Sequence, residues 1–320
     1  MFREMEYVYA VYQAGSFSAA AKALFVSQPC LSAMVKKAED RLGVPIFDRN
    51  TKPLGLTEYG VKYMEYLEKT RNLEREFEQY LSDVRGVKTG KLSIGANNVL
   101  ASFVLPPLIR RFNAQYPGVQ VQMVEGNISY LEEALTHGKL DLVLDNCPMN
   151  TDICLQHHLG TEQLLVAAPR SVHDAQALSE FCLTHADILA GRHLEADTPS
   201  LPIDTFSDVP FIALRTGNDT RIRMDTIFQQ AGISARIQLE VDQLATAYNI
   251  ACNGLGVTLV SDTLLYKNPP HPNMCYYKLR SSQTARAIYL YHKRARYVTI
   301  AMQKFMDTAI AVLAQGVTQL

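Results

Sequence analysis

The sequence runs to 320 residues, 48% hydrophobic and 20% charged, with a formal net charge of −1. These values fit two or three globular units and exclude a disordered or fibrous chain, and no stretch reaches the ~20 apolar residues that crossing a bilayer takes. The near-neutral total gives no general affinity for nucleic acid, so any basic footprint must be local. The first residues, with Glu4 and Glu6, lack the layout of a secretory signal, and a cytoplasmic location is expected. Cys30, Cys147, Cys154, Cys182, Cys252 and Cys275 show neither paired nor zinc-type spacing, which favours reduced thiols and no metal or other cofactor.

In chain order, residues 3–14 place Met5, Val8, Tyr9 and Tyr12 at helical spacing and stop at Gly15. Ser16 or Ser18 can cap a second helix over 19–24, and Ser27 opens a third with Pro29 in its first turn. Helices joined by so few residues cross steeply, as in a helix-turn-helix. On the third helix Leu31, Val35, Ala38 and Leu42 form a stripe expected to be buried, while Pro29, Ser32, Ala33, Lys36 and Lys37 face away. Such a face can enter a major groove about 12 Å wide. By charge alone a solvated face explains it as well, since residues 1–57 carry seven basic against five acidic side chains. After Gly43, residues 44–47 and 48–56 read as two short strands around a polar turn, a wing on which Arg49 and Lys52 can meet phosphate.

The motifs Gly15-Ser16-Phe17-Ser18-Ala19-Ala20-Ala21, Val26-Ser27-Gln28-Pro29-Cys30-Leu31-Ser32, Leu42-Gly43, Ile46-Phe47-Asp48-Arg49 and Leu56-Thr57-Glu58-Tyr59-Gly60 follow in this order. Together they resemble the LysR-type transcriptional regulators. The resemblance implies double-stranded DNA as partner, with Gln28, Pro29 and Ser32 on base edges and Ser27, Lys36 and Arg49 holding the backbone. The sequence departs from the family at Ala33, where an arginine or long polar side chain is frequent, and at Met34 and Ala38. Ala33 offers a thymine methyl only an apolar contact and rules out a bidentate guanine contact there.

From 57 to 85 the chain lacks proline, and Leu56, Tyr59, Tyr63, Tyr66, Thr70, Leu73, Phe77, Tyr80 and Val84 alternate in steps of three and four. One long helix with a heptad seam is expected, and hence a homodimer, although the same spacing also suits a helix packed on its own chain. A dimer presents two recognition helices and predicts a near-palindromic operator. The family resemblance adds tetramers built from two such dimers.

Beyond 86–90, strands at 91–96, 119–125 and 140–144 alternate with helices at 101–114 and 129–137. The order recurs at 211–215, 219–230, 235–241, 243–252 and 256–260. Two such units imply two parallel-sheet lobes with a ligand cleft at the strand ends. Asn97, Asn98, Val99, Gly126, Asn127, Ile128, Asp145 and Asn146 would form one wall. Thr216, Gly217, Asn218, Asp242, Gln243 and Ser261 would form the other. Helix starts there favour an anionic group, and the residue types equally suit helix capping. The strand at 287–292 and the helix at 298–313 are expected to complete the first lobe. The resemblance likewise implies a periplasmic-binding-protein-like domain holding a small-molecule effector.

The expected fold is therefore an all-α winged helix-turn-helix domain (1–58), a dimerisation linker helix (59–87) and a two-lobed α/β effector domain (88–320). Lobe I takes about 88–163 and 268–320, and lobe II about 164–267. Effector binding would be coupled to DNA binding. An enzyme is not expected: Gly254-Leu255-Gly256 precedes a strand and lacks a third glycine, and adjacent His157 and His158 point to opposite faces of a strand. Two rival readings stand beside the regulator: a thiol redox sensor using Cys147 and Cys154, and a solute-binding protein without regulatory role.

Overall fold

The computed structural model describes residues 2–51, 53–84, 90–171 and 176–313. Helix α1 (Phe2–Ala14) ends at Gly15, and α2 (Phe17–Ala23) is capped by Ser16, whose hydroxyl accepts from Ala19 N at 3.2 Å. Helix α3 (Gln28–Leu42) is capped by Ser27 at one end and by left-handed Gly43 at the other. Leu31, Val35 and Ala38 pack on Met5, Val8 and Val11 of α1 and Ala20 and Ala21 of α2. Leu42, expected in that stripe, is instead 41% exposed, because the last residue of the helix lies past the partners that cover the first three.

Phe25, in the turn between α2 and α3, has φ 55° and is 97% exposed. A β-carbon in the left-handed region costs roughly 1–2 kcal/mol, and this side chain recovers nothing by burial. Phe25→Asn is therefore expected to raise stability by about 1 kcal/mol in thermal or urea melts. A loss of stability would show that the ring holds the turn.

The wing is β1 (Phe47–Asp48) paired antiparallel with β2 (Gly55–Leu56), shorter strands than the sequence suggested. Helix α4 (Glu58–Val84) follows, seated by Thr57, whose hydroxyl donates to Pro45 O at 2.6 Å and accepts from Gly60 N at 2.9 Å. A β-carbon at Gly60 would overlap the Ile46 carbonyl, so only glycine lets α4 start this close to the chain. Tyr63, expected on the dimer seam, is 8% exposed and joins Met64 and Leu67 in the winged-helix core. Tyr59, Tyr66, Leu73 and Phe77 remain exposed. The helix carries two apolar stripes, and only one faces outward.

The chain divides into two units, Met1–Glu78 and Gln79–Leu320, with the division inside α4 and not at its end. In the second unit β3 (Gly90–Ala96) lies parallel to β4 (Val119–Glu125) and β5 (Leu142–Asp145). The single helix expected over 101–114 is two, α5 (Asn98–Phe103) and α6 (Leu105–Gln115), because Pro106 and Pro107 fit only the first turn of a new helix. Helix α7 (Ile128–Thr136) connects β4 to β5.

No pattern in the sequence marks β6 (Cys154–Pro169), whose 16 residues run from one lobe into the other. After it come α8 (His185–Leu189), β7 (Phe211–Leu214), α9 (Asp219–Gln230), β8 (Ile237–Val241), α10 (Leu244–Cys252), β9 (Thr258–Ser261) and α11 (Asp262–Lys267). Then follow β10 (Met274–Lys278), β11 (Ala285–Lys293) and α12 (Ile300–Leu313). The first half of β6 pairs antiparallel with β11, which also borders β5. Its second half pairs with β10 and β9. Each lobe thus joins parallel strands to antiparallel ones, where the strand–helix repeats alone imply parallel-sheet lobes.

Strand β10 places Cys275 and Tyr277 in a core with Phe206, Phe211 and Leu259, so the return crossing falls after Lys278 and not near 268. The first lobe's core sets Leu92, Ile94 and Leu144 against Phe112 of α6 and Phe305 of α12. Residues 79–83 of α4 are clasped by the segment before α12. Arg296 Nη2 donates to Gln79 Oε1 at 3.2 Å, Tyr80 meets Tyr297 edge to face at 5.4 Å, and Ile300 N donates to Asp83 Oδ2 at 2.9 Å.

Candidate functional site

Two surfaces carry the chemistry, one in each unit. In the first, α3 buries one stripe and leaves Gln28, Pro29, Ala33 and Lys36 exposed, with Ser32 half-buried beside them. The Gln28 side chain is steadied by Ser18, whose hydroxyl donates to Oε1 at 3.1 Å, and the Ser27 hydroxyl caps the helix by accepting from Cys30 N. Lys37 is committed elsewhere: its Nζ sits 3.1 Å from the carboxylate of buried Glu4 on α1, with Arg41 at 3.0 Å on the other oxygen. The Lys37 hydrogen bond and the two positive charges hold the Glu4 carboxyl below the usual range although burial opposes them. Arg49 bridges to Glu39 at 3.1 Å with its guanidinium over the Phe17 ring, yet stays more than half exposed on the wing. Lys52 lies outside the described residues.

In the second unit a cavity of about 470 Å³ opens between the lobes. One wall is Asn97, Asn98, Val99, Gly126, Asn127, Ile128, Asp145 and Asn146, and the other Thr216, Gly217, Asn218, Asp242 and Gln243. Asn97, Asn127 and Asn218 do both things the residue types allow: each caps a helix, accepting from Leu100 N, Tyr130 N and Thr220 N, and each also lines the cavity. Ser261 does only one. It is fully buried, caps α11 through Leu264 N and lies off the cavity, since β9 ends against the middle of β6 behind the wall.

Further lining residues were not anticipated: Glu125, Ser129, Cys147, Leu214, Arg215, Asp219, Thr220, Leu244 and Arg286. Most are chain neighbours of anticipated ones, and a wider window at each strand end would have included them. Arg286 had no such signal. It comes from β11 and is buried between Glu162 of β6, at 2.5 Å, and Asp219 of α9, at 3.1 Å, while Nη1 also donates to Thr220 Oγ1 at 3.0 Å. Burial works against its charge, but the two carboxylates outweigh this and hold the guanidinium protonated.

The remaining candidates behave as ordinary packing groups. Burial pushes the Cys147 and Cys154 thiols above the usual range, the reverse of what a peroxide-sensing thiolate needs. The thiols that touch are Cys182 and Cys275, with sulfurs 2.6 Å apart, and their contact, more than burial, pushes Cys182 up. His157 stacks on His292 and His158 packs on Tyr289. Among the described residues no His, Cys, Asp and Glu side chains cluster to hold a metal ion, and no helix is long and apolar enough to cross a membrane.

Residues 2–61 match the bacterial regulatory helix-turn-helix protein of the lysR family, and residues 85–314 match the LysR substrate binding domain. The chain belongs to the LysR family of transcriptional regulators. This LysR-type protein is 30% identical to the HTH-type transcriptional regulator YcgK of Bacillus subtilis, over 97% of the chain and 94% of YcgK. It is 21% identical to the HTH-type transcriptional activator CmpR of Synechocystis, over 96% and 94%. Full-length CbnR complexed with its target DNA superposes with a TM-score of 0.68 at 20% identity, covering 97% of this chain and 98% of that one. Full-length OxyR from Pseudomonas aeruginosa gives 0.69 at 21%, covering 97% and 94%. The LysR-type regulator therefore binds DNA through its N-terminal module and carries an effector-binding domain behind it.

Proposed function

We propose that this LysR-type regulator reads its operator with Gln28, Pro29, Ser32 and Ala33 at the start of α3, while Ser27, Lys36 and Arg49 position the phosphate backbone. Lys37 contributes positive charge beside them without a contact of its own, and Lys52 is a further candidate phosphate contact. Two copies join along the outer stripe of α4. A small molecule bearing an anionic group occupies the cleft between Asn97–Val99, Gly126–Ile128, Asp145 and Asn146 on one side and Thr216–Asn218, Asp242 and Gln243 on the other, and changes how the dimer sits on DNA. The protein acts in the cytoplasm and catalyses no reaction.

The observation that carries this reading is the capped α3 with Leu31, Val35 and Ala38 buried and a face of small, polar and basic side chains left exposed. Phosphate contacts fix position, and base-edge contacts carry sequence information. Gln28→Ala and Ser32→Ala are therefore expected to weaken operator binding by about 10- to 100-fold while leaving non-specific binding unchanged. Lys36→Ala is expected to weaken both alike and to reduce the slope of log affinity against log salt by about one. Gel-shift titrations at several salt concentrations measure all three. Binding indifferent to salt, or to Gln28 and Ser32, would remove α3 as the reading helix.

A further inference from the structure

The cleft walls carry four carboxylates, Glu125, Asp145, Asp219 and Asp242, against two guanidiniums, Arg215 and Arg286. An effector that is only an anion would meet a surplus of its own charge. How each group is committed sharpens the point. Arg286 is spent on Glu162 and Asp219, and Asp219 also receives Arg223 Nε at 2.8 Å. Arg215, exposed at the mouth, lies 3.5 Å from Asp242. Glu125, at the rim, accepts from the amides of Asn98 at 3.0 Å and Gln243 at 3.5 Å. Asn146 is used at both ends, accepting from Asn97 and donating to Glu162.

Asp145 is different. It ends β5 at the floor of the cavity, 1% exposed, and forms no ion pair among the described residues. Its Oδ1 accepts from Cys147 N at 2.9 Å, and its Oδ2 is buried without a hydrogen-bond partner. A buried carboxylate oxygen left unmatched is costly unless something supplied from outside completes it. Burial accordingly holds the Asp145 carboxyl above the usual range, only partly offset by the Cys147 N–H. A cation docked at the floor would stabilise its charged form.

The walls also present the opposite chemistry. Helices α7, α9 and α10, of 9, 12 and 9 residues, begin at the cavity, where Asn127, Asn218 and Gln243 precede their first turns. Helix starts of this kind favour an anionic group, and Arg215 stands beside two of them. We infer that the effector is a small zwitterion of the amino-acid type, its ammonium group bound at Asp145 and its carboxylate received at the starts of α7, α9 and α10. This rests on the cleft being the effector site. The cavity's volume suits a molecule of this class, with room for a side chain.

The test uses the full-length protein and ligands in matched sets: each common α-amino acid, the carboxylic acid lacking its amine, and the amine lacking its carboxylate. Thermal shift screens the sets and calorimetry measures what binds. At least one amino acid should bind, and both of its truncated analogues should be weaker by about 10- to 100-fold, the range of one charge-assisted hydrogen bond. Asp145→Asn should lose affinity by a similar factor, and the analogue sets on the unaltered protein keep the test valid if that variant folds poorly. Binding of the simple acid as tight as its amino acid, binding of the amine alone as tight as the zwitterion, or no binding by any amino acid would overturn the inference. Thr216→Trp separates the two levels, since it fills the cleft from an exposed position. An acid that binds the unaltered protein and is lost in Thr216→Trp leaves the cleft as the effector site and refutes the zwitterion. An amino acid that still binds Thr216→Trp refutes the cleft itself.

Discussion

Arg286→Met is expected to lower the stability of the effector domain by about 3–5 kcal/mol, the usual cost of removing one partner from a buried ion pair. The arginine side chain is almost fully buried, and so is Glu162, whose buried charge would lose its counter-ion. Asp219 keeps Arg223, so most of the penalty falls on Glu162. For a domain of this size each kcal/mol moves the midpoint by about 2–4 °C, giving a fall of roughly 6–20 °C in Tm. The mechanism predicts its own rescue. In Arg286→Met with Glu162→Gln neither charge is left stranded, and the double variant should melt closer to the parent than the single one does. Additive losses would mean that packing by the arginine stem outweighs its charge. Arg286 also spans the lobes, linking β11 and β6 to the start of α9. The rescued variant should therefore stay folded while the lobes lose a fixed contact at the cleft floor.

What could be read from the sequence follows the range of the forces involved. Caps and stops are local, and Ser16, Ser27 and Gly43 sit where their residue types said. Strand-to-helix turns are local too, which is why thirteen of the fourteen anticipated cleft residues line one cavity. Ser261 fails for a reason no local pattern holds: its strand ends in the sheet interior. Strand β6 escaped because its halves have different surroundings. Residues 154–163 mix buried, half-buried and exposed positions while 164–169 are buried throughout, so no single period covers the strand. The Glu162, Asp219 and Arg286 cluster joins three distant segments, and nothing in the spacing of charges announces such a pairing. On α4, the periodicity correctly showed apolar positions but could not say which partner each would meet. Tyr63 turned to its own core and Leu73 did not.

That division of α4 leads to the second large effect. Leu73 and Phe77 are 67% and 62% exposed, and with Tyr59 and Tyr66 they form an outward apolar stripe at heptad spacing. Side chains this exposed contribute little to the fold of one chain, so Leu73→Lys with Phe77→Lys should change monomer stability by about 0.5 kcal/mol or less. Placed against a second copy, the same lysines would bring four positive charges into one apolar seam. The double variant is therefore expected to sediment as a monomer. Its effect on DNA should be much larger than on stability, because a dimer engages two half-sites and the second contact is made at an effective concentration of millimolar order. Losing that second contact should weaken operator binding by about 10²- to 10⁴-fold, while affinity for an isolated half-site stays unchanged. Sedimentation and gel-shift titration on paired and single half-sites separate these effects. A variant that stays dimeric with full operator affinity would show that the stripe is not the seam, whereas a monomer with full operator affinity would show that one module reads the whole site.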